Sequence, residues 1–178
     1  MKWTVHGERS LYDSEWIRLT LVDVEIPGSS RFEHHVVRST QAASGTVVHD
    51  PTKGILLIWR HRFISDTWGW EIPAGRLDED EAPEAAAARE TLEETGWRPG
   101  PIAPLLSYYP TIGLSDQLFH LFHAEGATYV GPPSDPGEAD RVEWVPVGEV
   151  QAMLRSGEIR DGLSAVALLY AFTFGSVA

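Results

Sequence analysis

The chain contains no cysteine among its 178 residues, which excludes disulfide bonds and cysteine-based zinc sites. No stretch of the sequence is apolar over the roughly 20 residues that a membrane-spanning helix requires. The first residues, MKWTVHGERSLYD, also lack the apolar core of a signal peptide. We therefore expect a cytoplasmic protein with no membrane partner.

Positive charge is scarce as well, because 14 Lys and Arg residues stand against 26 Asp and Glu, giving a formal net charge of −12. Such a surface repels the phosphates of nucleic acids, so we expect no nucleic-acid partner. An acidic protein that acts on an anionic ligand needs local positive charge from metal ions or from a few arginines. The 43% hydrophobic and 22% charged content is typical of a globular protein with a real core.

Acidic residues are concentrated in the segment 75–97, which reads GRLDEDEAPEAAAARETLEETGW. Residues 83–95 are predicted to form a helix, because Pro83 suits a first helical position and the alanines that follow favour helix. Gly96 suits a left-handed C-terminal cap.

Three glutamates of this helix, Glu90, Glu93 and Glu94, are three or four residues apart and project from one face. The opposite side is predicted to pack on a sheet through Ala85, Ala88 and Leu92. Three carboxylates held this close repel one another unless a divalent cation joins them, and Mg²⁺ prefers such hard oxygen ligands.

A glutamate-rich helix is more often a solvated surface helix with salt bridges. Three flanking residues favour a cation site instead. Arg89 can hold the neighbouring glutamates by a bidentate contact, Gly96 ends the helix, and a tight turn at Gly75 would bring a backbone carbonyl, that of Ala74, beside the carboxylates.

These residues match the signature of the Nudix hydrolases, G-x5-E-x7-R-E-U-x-E-E-x-G-U, in which U is bulky and apolar. The fixed positions are all present, namely Gly75, Glu81, Arg89, Glu90, Glu93, Glu94 and Gly96, and Trp97 takes the last apolar position. Thr91 departs from the pattern, because an aliphatic residue is usual there.

The resemblance implies an α/β fold, an αβα sandwich around a mixed central sheet. It implies hydrolysis of a nucleoside diphosphate linked to another moiety, with Mg²⁺ or Mn²⁺ as cofactor. By the same resemblance, Glu90, Glu94 and the Ala74 carbonyl are metal ligands, and Glu93 assists directly or through water. Arg89 is counted with the catalytic residues.

A wider match, over most of residues 10–173, is similar to the ADP-ribose pyrophosphatase branch. It is carried by LIWRHR at 57–62, WEIPAG at 70–75, YPTIGLSD at 109–116 and GEIRD at 157–161. This branch implies that ADP-ribose is cleaved to AMP and ribose 5-phosphate. A sugar nucleotide or an oxidised nucleoside triphosphate remains an alternative substrate. A non-catalytic nucleotide sensor is the alternative from another class, which the complete glutamate set disfavours.

The general base is assigned by resemblance to Glu138, in the acidic loop before the strand predicted at 141–145. Asp135, Glu143 and Glu93 are rivals, and a solvated loop acid is the ordinary alternative for Glu138.

Four further residues are candidates for substrate binding. Arg38 and Arg62 are suited to a diphosphate or a terminal ribose, or else to surface salt bridges. Glu71 either accepts hydrogen bonds from a ribose or is structural. Trp16 either stacks on the adenine, as an aromatic does in relatives, or belongs to the core or a dimer interface.

The order of predicted elements suggests two parts. Alternating residues at 15–26 and 32–38 predict an N-terminal antiparallel unit, so residues 1–40 are assigned to dimerisation and 41–178 to the hydrolase domain; the homodimer itself is implied by the resemblance. Further strands are predicted at 45–49, 55–60, 102–109, 118–124 and 141–145, helices at 147–155 and 161–173, and a mobile loop at 125–140.

Overall fold

The computed structural model describes residues 1–134, 137–175 and 177. These residues form two compact units, the first made of residues 1–42 and 109–118, the second of the rest of the described chain. The assignment of residues 1–40 to dimerisation and of 41–178 to hydrolysis stays a prediction.

The first unit is built on a three-stranded antiparallel sheet in the order β1–β2–β3. Its strands are β1 (Thr4–Asp13), β2 (Ile17–Glu25) and β3 (Arg31–Ser39). The sequence predicted β2 and β3 but missed β1, whose ten residues are all exposed and therefore lack the apolar alternation that marks a half-buried strand. The segment 109–118 joins this unit through Val37, whose N–H donates to the carbonyl of Leu114 at 2.8 Å.

The second unit contains a seven-stranded mixed sheet in the order β12–β5–β4–β10–β9, with β6 paired to β5 and β7 paired to β4. Its elements are β4 (Ala43–Asp50), β5 (Gly54–Arg62), β6 (Thr67–Glu71), β7 (Ala74–Arg76), α1 (Pro83–Thr95), β8 (Trp97–Pro99), β9 (Ile102–Tyr108), β10 (Phe119–Glu125), β11 (Ala127–Tyr129), β12 (Arg141–Val145), α2 (Val147–Ser156) and α3 (Gly162–Thr173). β4 and β10 are parallel, and the other pairs are antiparallel.

Helices cover both faces of this sheet. Thr46 of β4 donates its hydroxyl to the carbonyl of Ala87 in α1. The next residue, Val47, points to the opposite face and belongs to the core cluster that includes Val150 of α2 and Leu168 of α3. The unit is therefore the αβα sandwich expected from the resemblance.

The helix α1 has the predicted bounds, and Gly96 caps it at φ 74° with its N–H on the carbonyl of Leu92. The prediction that Ala85, Ala88 and Leu92 face the sheet is wrong. Ala85 is exposed and the other two are only partly buried, whereas Ala86, Ala87 and Thr91 are fully buried and Glu94 nearly so.

The sheet-facing side of α1 combines alanines with the polar residues Thr91 and Glu94, and each of these polar side chains has a hydrogen-bond partner there. The hydroxyl of Thr91 donates to the carbonyl of Ala87 at 2.7 Å, and Glu94 meets an arginine of β5. Thr91 thus fits the helix packing despite its departure from the signature.

The predicted loop at 125–140 contains a short strand, which corrects that prediction. β11 pairs with β8 in a two-stranded ribbon, and the rings of Tyr129 and Trp97 lie 5.3 Å apart across it. Three residues are too few to show a period in the sequence. No helix in the described ranges has the length and apolarity needed to cross a membrane.

Gly54, at the start of β5, provides a test of backbone fit. Its φ is +100°, and an added Cβ would overlap the carbonyl of Val145 in the neighbouring strand. We expect Gly54→Ala to lower the free energy of unfolding by about 2–3 kcal/mol, measured by urea denaturation.

Gly148→Ala is the matched control, because a Cβ there meets nothing within 4 Å and the residue lies in the first turn of α2. It should be neutral or gain up to about 1 kcal/mol. An equal loss of unfolding free energy in the two variants would contradict the close approach of Gly54 to the carbonyl of Val145.

Candidate functional site

Glu90, Glu93 and Glu94 of α1 line one cavity of about 320 Å³, as the helix periodicity predicts. Ser134 and Glu138, from the span that follows β11, complete its wall. The exposed fractions of the side chains differ widely, from 3% for Glu94 and 14% for Glu90 to 44% for Glu93 and 52% for Glu138. The cavity therefore has a buried acidic floor and an exposed acidic rim.

Arg89 holds the acids of the signature together, as predicted. Its Nε and Nη2 donate to the two carboxylate oxygens of Glu81 at 3.0 and 2.9 Å. Its Nη1 donates to Glu90 at 2.7 Å and to Glu93 at 2.9 Å, and Nη2 also reaches the carbonyl of Arg76. The hydrogen bonds with Glu81 raise the pKa of Arg89 and lower that of Glu81, so this cation stays charged among the acids.

The turn before β7 lies directly against the helix. A Cβ on Gly75 would overlap the carboxylate of Glu90, so only glycine allows this approach. The N–H of Ala74 donates to Oε2 of Glu94 at 2.9 Å. The backbone of the turn and two of the predicted metal ligands are therefore in contact.

The same turn is fixed from its other side by buried polar groups. The N–H of Ile72 donates to Oγ of Ser164 at 3.1 Å, and that hydroxyl donates to Asp161, the residue before α3, at 2.8 Å. The N–H of Thr46 donates to the carbonyl of Pro73 at 3.1 Å. Hydrogen bonds to α3 and β4 thus hold the turn in place.

Arg60 of β5 is a site residue that the sequence predictions missed. Its Nη2 donates to Oε1 of Glu94 and lies 3.8 Å from Oε2 of Glu138. A signal was present in the strand period, because Arg60 and Arg62 alternate with Trp59 and His61 and so share one face of β5.

Burial is the main influence on the two innermost acids. It raises the pKa of Glu94 to about 7, although Arg60 and the N–H of Ala74 act in the opposite direction. Burial also raises the pKa of Glu90, against the effect of Arg89. Both inner acids therefore bind a proton more readily than a free glutamate does.

The span that carries Glu138 is tied down on both sides. The N–H of Ser134 donates to the carbonyl of Glu93 at 3.0 Å, and the N–H of Asp140 donates to the carbonyl of Trp59 at 2.8 Å. Of the rival bases, Glu143 pairs with Arg141 at 3.3 Å on β12 and does not line the cavity. Asp135 lies outside the described residues.

As placed in the described residues, no group of three or more acidic or histidine side chains is arranged to hold a metal ion by itself, but the chemistry of the donor set suits Mg²⁺. Mg²⁺ takes few protein carboxylates and keeps several of its waters, so an open acidic wall suits it. Glu90, Glu93, Glu94 and the carbonyl of Ala74 are the groups that would hold it.

Two of the predicted substrate-binding residues pair with each other. Arg62 donates to both carboxylate oxygens of Glu71, at 2.9 and 2.5 Å. Both line a second cavity of about 250 Å³, together with Arg160 and Asp161. Arg62 is two residues from Arg60 on the same face of β5, so the Cα atoms of the two arginines are about 7 Å apart along the strand.

The other two candidates belong to the first unit. Trp16, which precedes β2, is 59% exposed. Arg38 pairs with Glu8 at 2.7 Å and with Asp116 at 3.1 Å, and it lines a cavity of about 430 Å³ with Tyr109 and Leu114. Their roles toward a substrate stay predictions.

The pKa of Glu94 gives a test by pH. Because burial favours the protonated form, its contribution to stability is complete below the ordinary value of 4.5 and is lost as the pH rises through about 7. In a buffer with a chelator, we expect the free energy of unfolding to fall by about 3 kcal/mol between pH 4.5 and 8.

Glu94→Gln should remove most of this fall, as measured by urea denaturation across the pH range. Glu93→Gln, on the exposed rim of the same helix, should keep the slope of the wild type. If the unfolding free energy of Glu94→Gln falls with pH as steeply as that of the wild type, the raised pKa does not belong to Glu94.

Comparison with known proteins places this geometry in a family. A model of the NUDIX domain matches residues 39–163. The chain is 43% identical over 175 residues to a CMP-5'-(N-acetyl-N-hydroxy-3-aminopropyl)phosphonate hydrolase of Streptomyces rubellomurinus. The aligned residues make up 98% of this chain and 84% of the relative. It is 29% identical over 169 residues to an ADP-ribose pyrophosphatase of Bacillus subtilis, covering 92% and 89%.

The fold has a close counterpart among solved structures. The crystal structure of an ADP compounds hydrolase superposes with a TM-score of 0.87 at 16% identity, over 99% of this chain and 95% of the other. Taken with the glutamate helix and its arginine, the domain match shows that the chain is an enzyme of the Nudix hydrolase family.

Proposed function

We propose that the enzyme uses a divalent cation to hydrolyse the bond that joins a nucleoside 5'-phosphate to a second phosphorus-containing moiety. The observation that carries this proposal is the single cavity lined by Glu90, Glu93, Glu94 and Glu138. A purely structural salt-bridge helix does not need a fourth acid from a separate span on the same cavity wall.

The protein groups divide the work by their burial. Glu90 and Glu94, with the Ala74 carbonyl, are the inner ligands, and Glu93 assists from the rim. Mg²⁺ or Mn²⁺, when bound there, neutralises phosphate charge and lowers the pKa of a water. Arg89 keeps the inner acids in position, because it donates to Glu90 and Glu93 at once.

Glu138 is the proposed general base. At 52% exposed it reaches solvent, from which the attacking water comes, while it still lines the acidic cavity. Arg60 lies on its inner side, with Nη2 3.8 Å from Oε2 of Glu138. The oxygen of the water attacks one of the two phosphorus atoms while its proton passes to Glu138. The bond from that phosphorus to the bridging oxygen breaks, and the nucleoside monophosphate separates from the second phosphorus-containing moiety.

ADP-ribose, cleaved to AMP and ribose 5-phosphate, is the first candidate substrate, supported by the likeness to an ADP-ribose pyrophosphatase. A cytidine monophosphate linked to a phosphonate is the second, favoured by the higher identity of 43% over 98% of the chain. The second cavity, with Arg62 and Glu71, is the proposed place of the moiety beyond the two phosphorus atoms.

The first unit has the features of a dimer interface. Trp3, just before β1, and Val5, Leu11 and Tyr12 of β1 are exposed, and apolar residues exposed in this number support an interface with a second copy of the chain. We include in the proposal a cytoplasmic homodimer joined through these strands, with Trp16 stacking on the base and Arg38 near the phosphates.

The reaction is tested by product analysis with ADP-ribose, a CMP-linked phosphonate, a sugar nucleotide and an oxidised nucleoside triphosphate. We expect a nucleoside monophosphate from at least one of the first two, and no product when a chelator replaces Mg²⁺. The ratio of kcat/KM values ranks the candidates. Tight binding of all four without turnover would replace the hydrolase with a nucleotide sensor.

The base is tested by substitution on the best substrate. Glu138→Gln should lower kcat at least ~10²-fold with little change in KM, as expected for the loss of a general base. Glu143→Gln is the matched control and should keep wild-type turnover, because that carboxylate pairs with Arg141 outside the cavity. Near-normal kcat in Glu138→Gln would exclude Glu138 from the role.

A further inference from the structure

Arg60, which contacts two acids of the cavity, lies outside the glutamate signature. Arg60 arises from β5, and its side chain is only 8% exposed. Burial of a guanidinium is costly unless it is paired and hydrogen-bonded. Its contacts with Glu94 and Glu138 are therefore a built feature of the site rather than a surface salt bridge.

The hydrogen bonding of Arg60 is incomplete within the protein. Its Nε is buried and has no hydrogen-bond partner among residues 1–134, 137–175 and 177. Buried polar groups without partners are rare in folded proteins and call for an explanation. The guanidinium is therefore held at this position although the described protein does not satisfy all of its donors.

The position of Arg60 limits what Glu94 can bind. Oε1 of Glu94 accepts from Arg60, and Oε2 accepts from the N–H of Ala74. A divalent ion that approaches Glu94 must share these oxygens and lie close to a fixed positive charge, which repels it in a poorly solvated environment. Arg89, by contrast, donates to only one oxygen of Glu90 and to only one oxygen of Glu93.

We propose that Arg60 is a built-in cation of the metal site, which competes with a divalent ion for Glu94. It thereby weakens metal binding on that side of the cavity and sets how many ions the nucleotide-free enzyme holds. The proposal rests on the proposed function only in taking the glutamates as metal ligands.

The test is direct binding of Mn²⁺ to the nucleotide-free protein, by isothermal titration calorimetry and by the electron paramagnetic resonance signal of free Mn²⁺. Because loss of the Arg60 charge also increases the proton affinity of Glu94, every variant is titrated at several pH values, so that competition by protons is separated from competition by Arg60. Arg60→Gln removes the charge and keeps a neutral hydrogen-bond donor on a shorter side chain. We expect it to bind Mn²⁺ at least ~10-fold more tightly, or to bind one more ion, than the wild type.

Arg98→Gln is the matched control for the change of net charge, because Arg98 lies exposed on β8 outside the cavity. It should bind Mn²⁺ as the wild type does. Arg60→Lys keeps the charge and should return the affinity to within about threefold of the wild type. If Arg60→Gln does not fold, as judged by circular dichroism, Arg60→Met fills the same volume without charge and takes its place.

Unchanged binding in the neutral variants would overturn the proposal. Weaker binding would overturn it too, since the guanidinium would then serve only to keep Glu94 ionised. The Mn²⁺ titration contains no nucleotide, so its result does not depend on which substrate is correct. A failure of the Arg60 proposal likewise leaves the substrate assignment untouched.

Discussion

Burial of the Glu94 carboxylate between the helix α1 and the central sheet is the constraint on which the site depends. A carboxylate that is 3% exposed must have partners for both oxygens, or its desolvation costs more than the fold can offset. Arg60 of β5 and the N–H of Ala74 provide them. Three separate elements are thereby fixed around one side chain, and the cavity beside it inherits their rigidity.

The second fixed point is the approach of Glu90 to Gly75. It brings the backbone turn close to the helix, and Ser164 and Thr46 hold the turn from behind through Ile72 and Pro73. Arg89 then joins Glu81, Glu90 and Glu93 with one guanidinium. The acids are thus arranged by hydrogen bonds within the protein.

The sequence predicted the parts of this arrangement that local chemistry determines. Pro83, the alanine run and Gly96 define α1 by capping and propensity, and the spacing of its glutamates places them on one cavity. The sheet-facing side of α1 was misjudged because apolar residues were expected there, whereas Thr91 and Glu94 are buried with partners supplied by the helix backbone and by a distant strand. Arg60 was missed because its partner, Glu94, is 34 residues away in the sequence and no local pattern joins them. The strand β1 was missed because its residues are exposed along the whole length.

The two hydrogen bonds of Ser134 and Asp140 have a consequence for the outer wall of the acidic cavity. Ser134 donates to the carbonyl of Glu93 in α1, and Asp140 donates to the carbonyl of Trp59 in β5. Ser134 and Glu138, which line that wall, therefore take their positions from the helix and from the sheet together. A substitution that shifts either element also displaces the wall, even when the substituted side chain lies far from the cavity.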